Sequence, residues 1–129
     1  MKKLTFLFSS LLFVALAYGS TPKVTDISIV DLQAAVASKS AVILDVNGTE
    51  SYRAGHIPGA IDFIAHSDEV AKLLPADKNA LIVAYCRNVH CTAYRAAANA
   101  ALALGYTNVK HFPLGIDGWV QSGAATEKE

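Results

Sequence analysis

Leu81-Ile82-Val83-Ala84-Tyr85-Cys86-Arg87-Asn88-Val89-His90-Cys91-Thr92-Ala93-Tyr94-Arg95 changes backbone type twice within a short span. The apolar run up to Tyr85 reads as a buried strand, and the Ala-rich stretch from Thr92 reads as a helix. Between them lies a short polar loop that begins at Cys86 and ends at Cys91. A strand that turns tightly into a helix brings backbone N–H groups together at the helix N-terminus, where they and the helix dipole favour an anion. Cys86 sits at that point, so its thiol is expected to favour the thiolate, the nucleophilic form. Cys91 is the only other cysteine in the chain.

The alternation of strand and helix continues outward from this loop. Residues 24–27 read as a short strand. Ser28 is placed to cap a helix that carries Ile29, Leu32, Ala35 and Val36 at helical spacing. Ala41-Val42-Ile43-Leu44-Asp45-Val46 is a buried-type strand, and residues 51–54 form a short helix stopped by Gly55. His56-Ile57-Pro58-Gly59 is a turn, residues 60–64 a further strand, and residues 68–74 a helix ending at Pro75. Residues 80–85 form the strand before Cys86, and residues 92–104 a helix with Gly105 as its left-handed cap. Residues 108–112 make a last strand and residues 116–121 a terminal turn of helix. The small, polar stretch 122–129 is expected to fray. Strands alternating with helices through short connections predict an α/β fold, its mostly parallel sheet covered on both faces.

The first residues read as a targeting signal. Lys2 and Lys3 precede an apolar stretch over residues 4–17, and Ala17-Tyr18-Gly19 places small residues for cleavage before Ser20. The run is short for a membrane span; an uncleaved anchor is the rival reading. The expected organisation is a signal peptide at 1–19 and a single domain at 20–129, exported to a bacterial periplasm and free of the membrane after cleavage. Without Lys2 and Lys3 the chain keeps nine basic against eleven acidic residues and has no long basic block. That balance argues against nucleic acid as a main partner. His56, His66, His90 and His111 lack compact ligand spacing, and two cysteines do not complete a zinc site. No Gly-rich phosphate loop is present. No metal and no cofactor are expected.

Four ordered motifs bring in a family. Leu44-Asp45-Val46, Tyr52-Arg53-Ala54-Gly55-His56-Ile57-Pro58-Gly59-Ala60, Val83-Ala84-Tyr85-Cys86-Arg87, and Leu104-Gly105-Tyr106-Thr107-Asn108-Val109 followed by Gly115-Ile116-Asp117-Gly118-Trp119 together resemble a rhodanese-like domain. The resemblance runs from about Asp26 to Ser122. It implies an α/β fold with a sheet of about five parallel strands flanked by helices on both faces. It implies a sulfurtransferase in which Cys86 becomes a persulfide, taking sulfane sulfur from a small donor and passing it to a thiol or other nucleophilic acceptor. Polysulfide, a persulfide and thiosulfate are the expected donors. Arg87, Asn88, Val89, His90 and Thr92 are then the substrate-binding loop, with Asp45 and Arg95 as supporting positions.

The loop departs from the common family pattern Cys-Arg-x-Gly-x-Arg-Ser/Thr. Val89 stands at the Gly position and Cys91 at the second Arg, so the loop is similar to that of exported single-domain members with a Cys-x4-Cys loop. Val89 does not readily take φ > 0, so a changed loop path is expected. Losing the Arg weakens the grip on a small dianion. Asn47 replaces the Arg often found after the Asp-Val pair. Three readings stay open for Cys91: a plain substitution, a resolving thiol that attacks an oxidised or sulfur-loaded Cys86, or one half of a structural disulfide. Arg87 is a candidate anion binder, and His90 a candidate charge or acid–base group. Arg95 is placed to reach the loop or to be solvated, Asp45 to orient loop groups or cap its own turn, His56 to hold its turn, and Trp119 to pack in the core. The phosphatase and arsenate-reductase reading of this fold fails, because the oxyanion-clamping Arg it requires would fall at Thr92. A thiol–disulfide or sulfane-redox enzyme using Cys86 and Cys91 remains as an alternative, as does a non-catalytic sulfur-carrier or binding module.

Overall fold

The computed structural model describes residues 22–129. The expected signal peptide lies outside them. Five strands form one parallel sheet: β1 (Thr25–Asp26), β2 (Ala41–Asp45), β3 (Ile61–Asp62), β4 (Leu81–Tyr85) and β5 (Val109–His111), in the order β1-β5-β4-β2-β3. β4 is central, with β2 on one side and β5 on the other. The fold is the α/β arrangement expected from the alternating pattern.

Burial on both faces explains why β2 and β4 are unbroken apolar runs. On one face Ile82, Ala84 and Cys86 pack with Leu44, Val46, Phe63, Tyr106 and the alanines Ala97, Ala98 and Ala101 of α5 (Tyr94–Ala103). Alanine at those positions lets α5 lie close to the sheet. On the other face Val83 and Tyr85 pack with Leu32 of α1 (Ile29–Ser38), Tyr52 of α2 (Thr49–Ala54), Phe112, and Trp119 of α6 (Gly115–Gln121). Trp119 is core, as expected, edge-on to Phe112. Ser28 caps α1 by accepting the Asp31 N–H, and Gly105 follows α5 with φ +91.

Three expectations need correction. The strand foreseen at 60–64 is only two residues long. Asp62 accepts the Ala65 N–H and opens a helical turn, α3 (Phe63–His66), at the residue where the strand was to continue. The helix foreseen at 68–74 is a 3-10 turn (Ser67–Glu69) followed by α4 (Val70–Leu73), and Leu74 is extended because Pro75 follows it. The tail is docked rather than frayed. His56 and Glu127 exchange both backbone hydrogen bonds at 3.0 Å, Trp119 Nε1–H donates to the Ala125 carbonyl, and Glu129 N–H reaches the Arg53 carbonyl. Polar composition hid this, because the tail docks mainly through its backbone, with the Glu127 carboxylate accepting the Gly59 N–H at 3.2 Å.

Amide exchange checks the docking. The Glu127 N–H should exchange at least about tenfold more slowly than in a free chain, and free-chain exchange there would return the tail to the frayed description.

Candidate functional site

Cys86 follows the last residue of the central strand and is 1% exposed. Its side chain lies on the α5 face of the sheet, within the same apolar cluster as Ala97 and Tyr106. Cys91 returns to it across five residues, and the two are joined in a disulfide with Cα atoms 6.3 Å apart. That separation is within the ordinary range for a disulfide.

Between the cysteines the loop is closed by Asn88. Its side-chain oxygen accepts the His90 N–H at 3.1 Å, and its carbonyl accepts the Cys91 N–H at 3.1 Å. Two of the loop amides are therefore used inside the loop rather than aimed at the sulfur. Val89 is 61% exposed and does not have positive φ, so the loop turns without the conformation that Gly would supply. His90 is exposed. Thr92 is also exposed and offers its carbonyl to the Arg95 N–H, so α5 begins two residues later than expected. Arg95 is exposed, with its guanidinium 6.0 Å from the Tyr94 ring centre.

A second element holds the loop from outside. Ile116 N–H donates to the Cys86 carbonyl and Asp117 N–H to the Arg87 carbonyl, both at 3.0 Å. The approach is so close that a Cβ on Gly115 would overlap the Arg87 carbonyl group and the Cys86 oxygen, and Gly115 also has φ +61. The Asp117 carboxylate completes the contact. Asn88 Nδ2 donates to it at 3.2 Å, and Arg87 Nε lies 3.8 Å away. Sequence reasoning assigned Asp117 and Gly115 no role. Their signal was an acid set between glycines just before the Trp, in a block read only as a family mark.

Asp45 does not touch the loop. It is buried at the end of β2, where one carboxylate oxygen accepts the Asn47 N–H at 2.8 Å and the other accepts the Tyr85 hydroxyl. Tyr85 in turn accepts the Ile57 N–H at 3.1 Å, so Asp45 supports the 56–59 turn through Tyr85. Burial raises the Asp45 pKa, and the hydrogen bonds from Tyr85 and Asn47 offset part of the rise. Burial, reinforced by Asp45, also raises the Tyr85 phenol. His56 holds its turn as expected, its Nδ1 2.8 Å from the Tyr52 carbonyl and its ring stacked on Tyr52. His111, stacked on Tyr94 with its Nδ1 3.4 Å from Asp26, is lowered by burial.

Two surface cavities flank the loop. One, of about 290 Å³, is lined by Asn47, Ser51, Gly55, Arg87 and Asp117 among others. The other, of about 330 Å³, is lined by Asn88, His90, Leu114 and Asp117 among others. Asp117 borders both, and neither is lined by a cysteine.

The rhodanese-like domain family model matches residues 28–122, and the chain belongs to that family. The HTH-type transcriptional regulator Rv0324 of Mycobacterium tuberculosis is 36% identical over 87 residues, 67% of this chain; the chain spans only 37% of that relative. A rhodanese-related protein from Thermoplasma volcanium superposes with a TM-score of 0.63 at 24% identity, covering 81% of this chain and 99% of that one. A human single-domain sulfurtransferase superposes with a TM-score of 0.61 at 22% identity, covering 80% and 97%. These two likenesses show the fold.

Two substitutions test the packing of the site. Gly115→Ala should cost roughly 3 kcal/mol in urea unfolding, because backbone must move to admit the methyl group. Asp45 is neutral more readily in the fold than in the unfolded chain, so its stabilising contribution is full below about pH 4 and is lost as pH rises through its raised folded pKa. Asp45→Asn should therefore gain stability relative to the parent between about pH 4 and pH 7; a constant difference across that range would contradict it.

Proposed function

We propose that this chain is a sulfurtransferase that carries sulfane sulfur on Cys86. The observation that carries the reading is the position of Cys86, at the C-terminal end of the central strand and the head of the loop into α5, in a chain of the rhodanese-like family. The human neighbour's description as a sulfurtransferase supports the same activity. The Cys86 thiolate attacks the sulfane sulfur of a donor. The donor's S–S bond breaks, the remainder leaves with the electron pair (sulfite in the case of thiosulfate), and Cys86 holds a persulfide. An acceptor thiolate then attacks the terminal sulfur, and Cys86 leaves as thiolate. The signal-like sequence over residues 1–19 supports work in an exported, oxidising compartment.

The disulfide favours a second fate for the same persulfide, competing with transfer to an acceptor. The Cys91 thiolate attacks the inner sulfur of the Cys86 persulfide, and hydrosulfide leaves with the electron pair. The sulfane sulfur is reduced to sulfide while the two thiols become the disulfide, so no outside oxidant is consumed. A dithiol reductant reopens the bond, entering at Cys91, the less buried of the two.

Intact mass after polysulfide treatment of the reduced protein separates the steps. Cys91→Ser should keep one added sulfur, Cys86→Ser should keep none, and wild type should release sulfide and lose two hydrogens. Wild-type sulfane sulfur on Cys86→Ser would overturn the assignment of Cys86. A wild type that retains its persulfide would reduce Cys91 to a plain substitution.

Donor choice follows from the loop. With Cys91 in the second Arg position, thiosulfate should be used less efficiently than polysulfide, and Cys91→Arg should raise thiosulfate efficiency about tenfold. Steady-state rates with each donor decide it; thiosulfate at or above the polysulfide value refutes the idea.

A further inference from the structure

We infer that Asp117 is a positioning and specificity-determining residue that disfavours compact anionic reactants, small dianions most, at the cysteine loop. Three observations converge on it. Its carboxylate lies 3.8 Å from Arg87 Nε, and Arg87 is the only Arg or Lys between the two cysteines. The same carboxylate accepts from Asn88 Nδ2 at 3.2 Å, and Asn88 is the residue whose carbonyl and side chain close the loop. It also borders both cavities that flank the loop, so the surface on either side of the loop carries its charge.

The consequence is electrostatic. An Arg next to a reactive cysteine ordinarily draws anions by offering paired N–H donors. Here the neighbouring carboxylate competes for that guanidinium and adds its own repulsion. The loop therefore disfavours a compact dianion such as thiosulfate more than a longer polysulfide, whose charge is spread along its chain, or an uncharged sulfur compound. The pair is partly exposed, with Arg87 at 70% and Asp117 at 39%, so the effect is moderate and screened by salt. The second tie, to Asn88, is a hydrogen bond that an amide can replace. Charge and positioning can thus be separated by substitution.

The test does not depend on sulfur transfer. Reduced protein is alkylated with iodoacetate, an anion, and with iodoacetamide, its neutral analogue, and each cysteine is followed by peptide mass spectrometry. Asp117→Asn keeps an acceptor for Asn88 and removes the charge. It should raise the iodoacetate-to-iodoacetamide rate ratio about three- to tenfold at low salt, and the gain should shrink at about 0.5 M salt. Asp117→Glu should stay near wild type. An unchanged ratio in Asp117→Asn, or a gain that high salt leaves intact, overturns the inference. The inference also rests on the sulfurtransferase reading for its second readout: Asp117→Asn should lower the KM for thiosulfate with kcat little changed. A protein that moves no sulfur from any donor defeats the proposed function, while the alkylation ratio still decides the role of Asp117.

Discussion

Two backbone hydrogen bonds, from Ile116 N–H to the Cys86 carbonyl and from Asp117 N–H to the Arg87 carbonyl, govern the geometry of the whole site. They extend the order of the sheet one step beyond the end of β4. A strand's last carbonyls ordinarily turn to solvent or to a following turn. Here the first two carbonyls after β4 meet the first turn of α6, a helix from much later in the chain. The cysteine loop is thus fixed from both sides, by α5 that follows it and by α6 that returns to it. Gly115 is what makes the return possible, because no side chain fits between that turn and the loop backbone.

That constraint shapes what the disulfide means. A loop whose first two carbonyls are pinned cannot swing Cys86 outward as a unit. Movement is left to the segment from Asn88 to Cys91, which is exposed or half-buried and held by the internal bonds of Asn88. Cys86 is thus the fixed sulfur and Cys91 the one on the adjustable side. The disulfide also encloses the Asn88 turn, so opening it releases the amides of His90 and Cys91 from a tight ring. Whether those amides then turn toward Cys86 depends on how strongly Asn88 keeps them, and Asn88 is itself tied to Asp117.

Most of the fold was legible because burial on two faces leaves a plain mark. Ala41 to Val46 and Leu81 to Tyr85 could hardly be anything but interior strands, and their alternation with helical stretches set the parallel sheet. Cys86 was legible for the same reason, as the first residue beyond such a strand. Two of the misreadings share a cause. Asp62 stops a strand with one side-chain hydrogen bond, and the tail docks through backbone groups of Glu127 and Glu129; neither leaves a periodic pattern. Asp117 was missed because its partners, Arg87 and Asn88, are some thirty residues away. Only the packing of α6 on the loop brings them together.

The buried polar groups follow a related logic. Asp45 and Tyr85 end neighbouring strands, β2 and β4, and their register places them side by side. A carboxylate at that depth is costly unless it is hydrogen-bonded, and the Tyr85 hydroxyl and the Asn47 amide supply the bonds. Tyr85 immediately precedes Cys86, so its ring anchors the strand end on one face while Cys86 sits on the other. The alternation of a strand thus separates two tasks between adjacent residues. Tyr85 joins the strand end to Asp45 and the 56–59 turn, and Cys86 meets the loop. A change at Tyr85 would therefore reach Cys86 through the backbone they share, without any contact between their side chains.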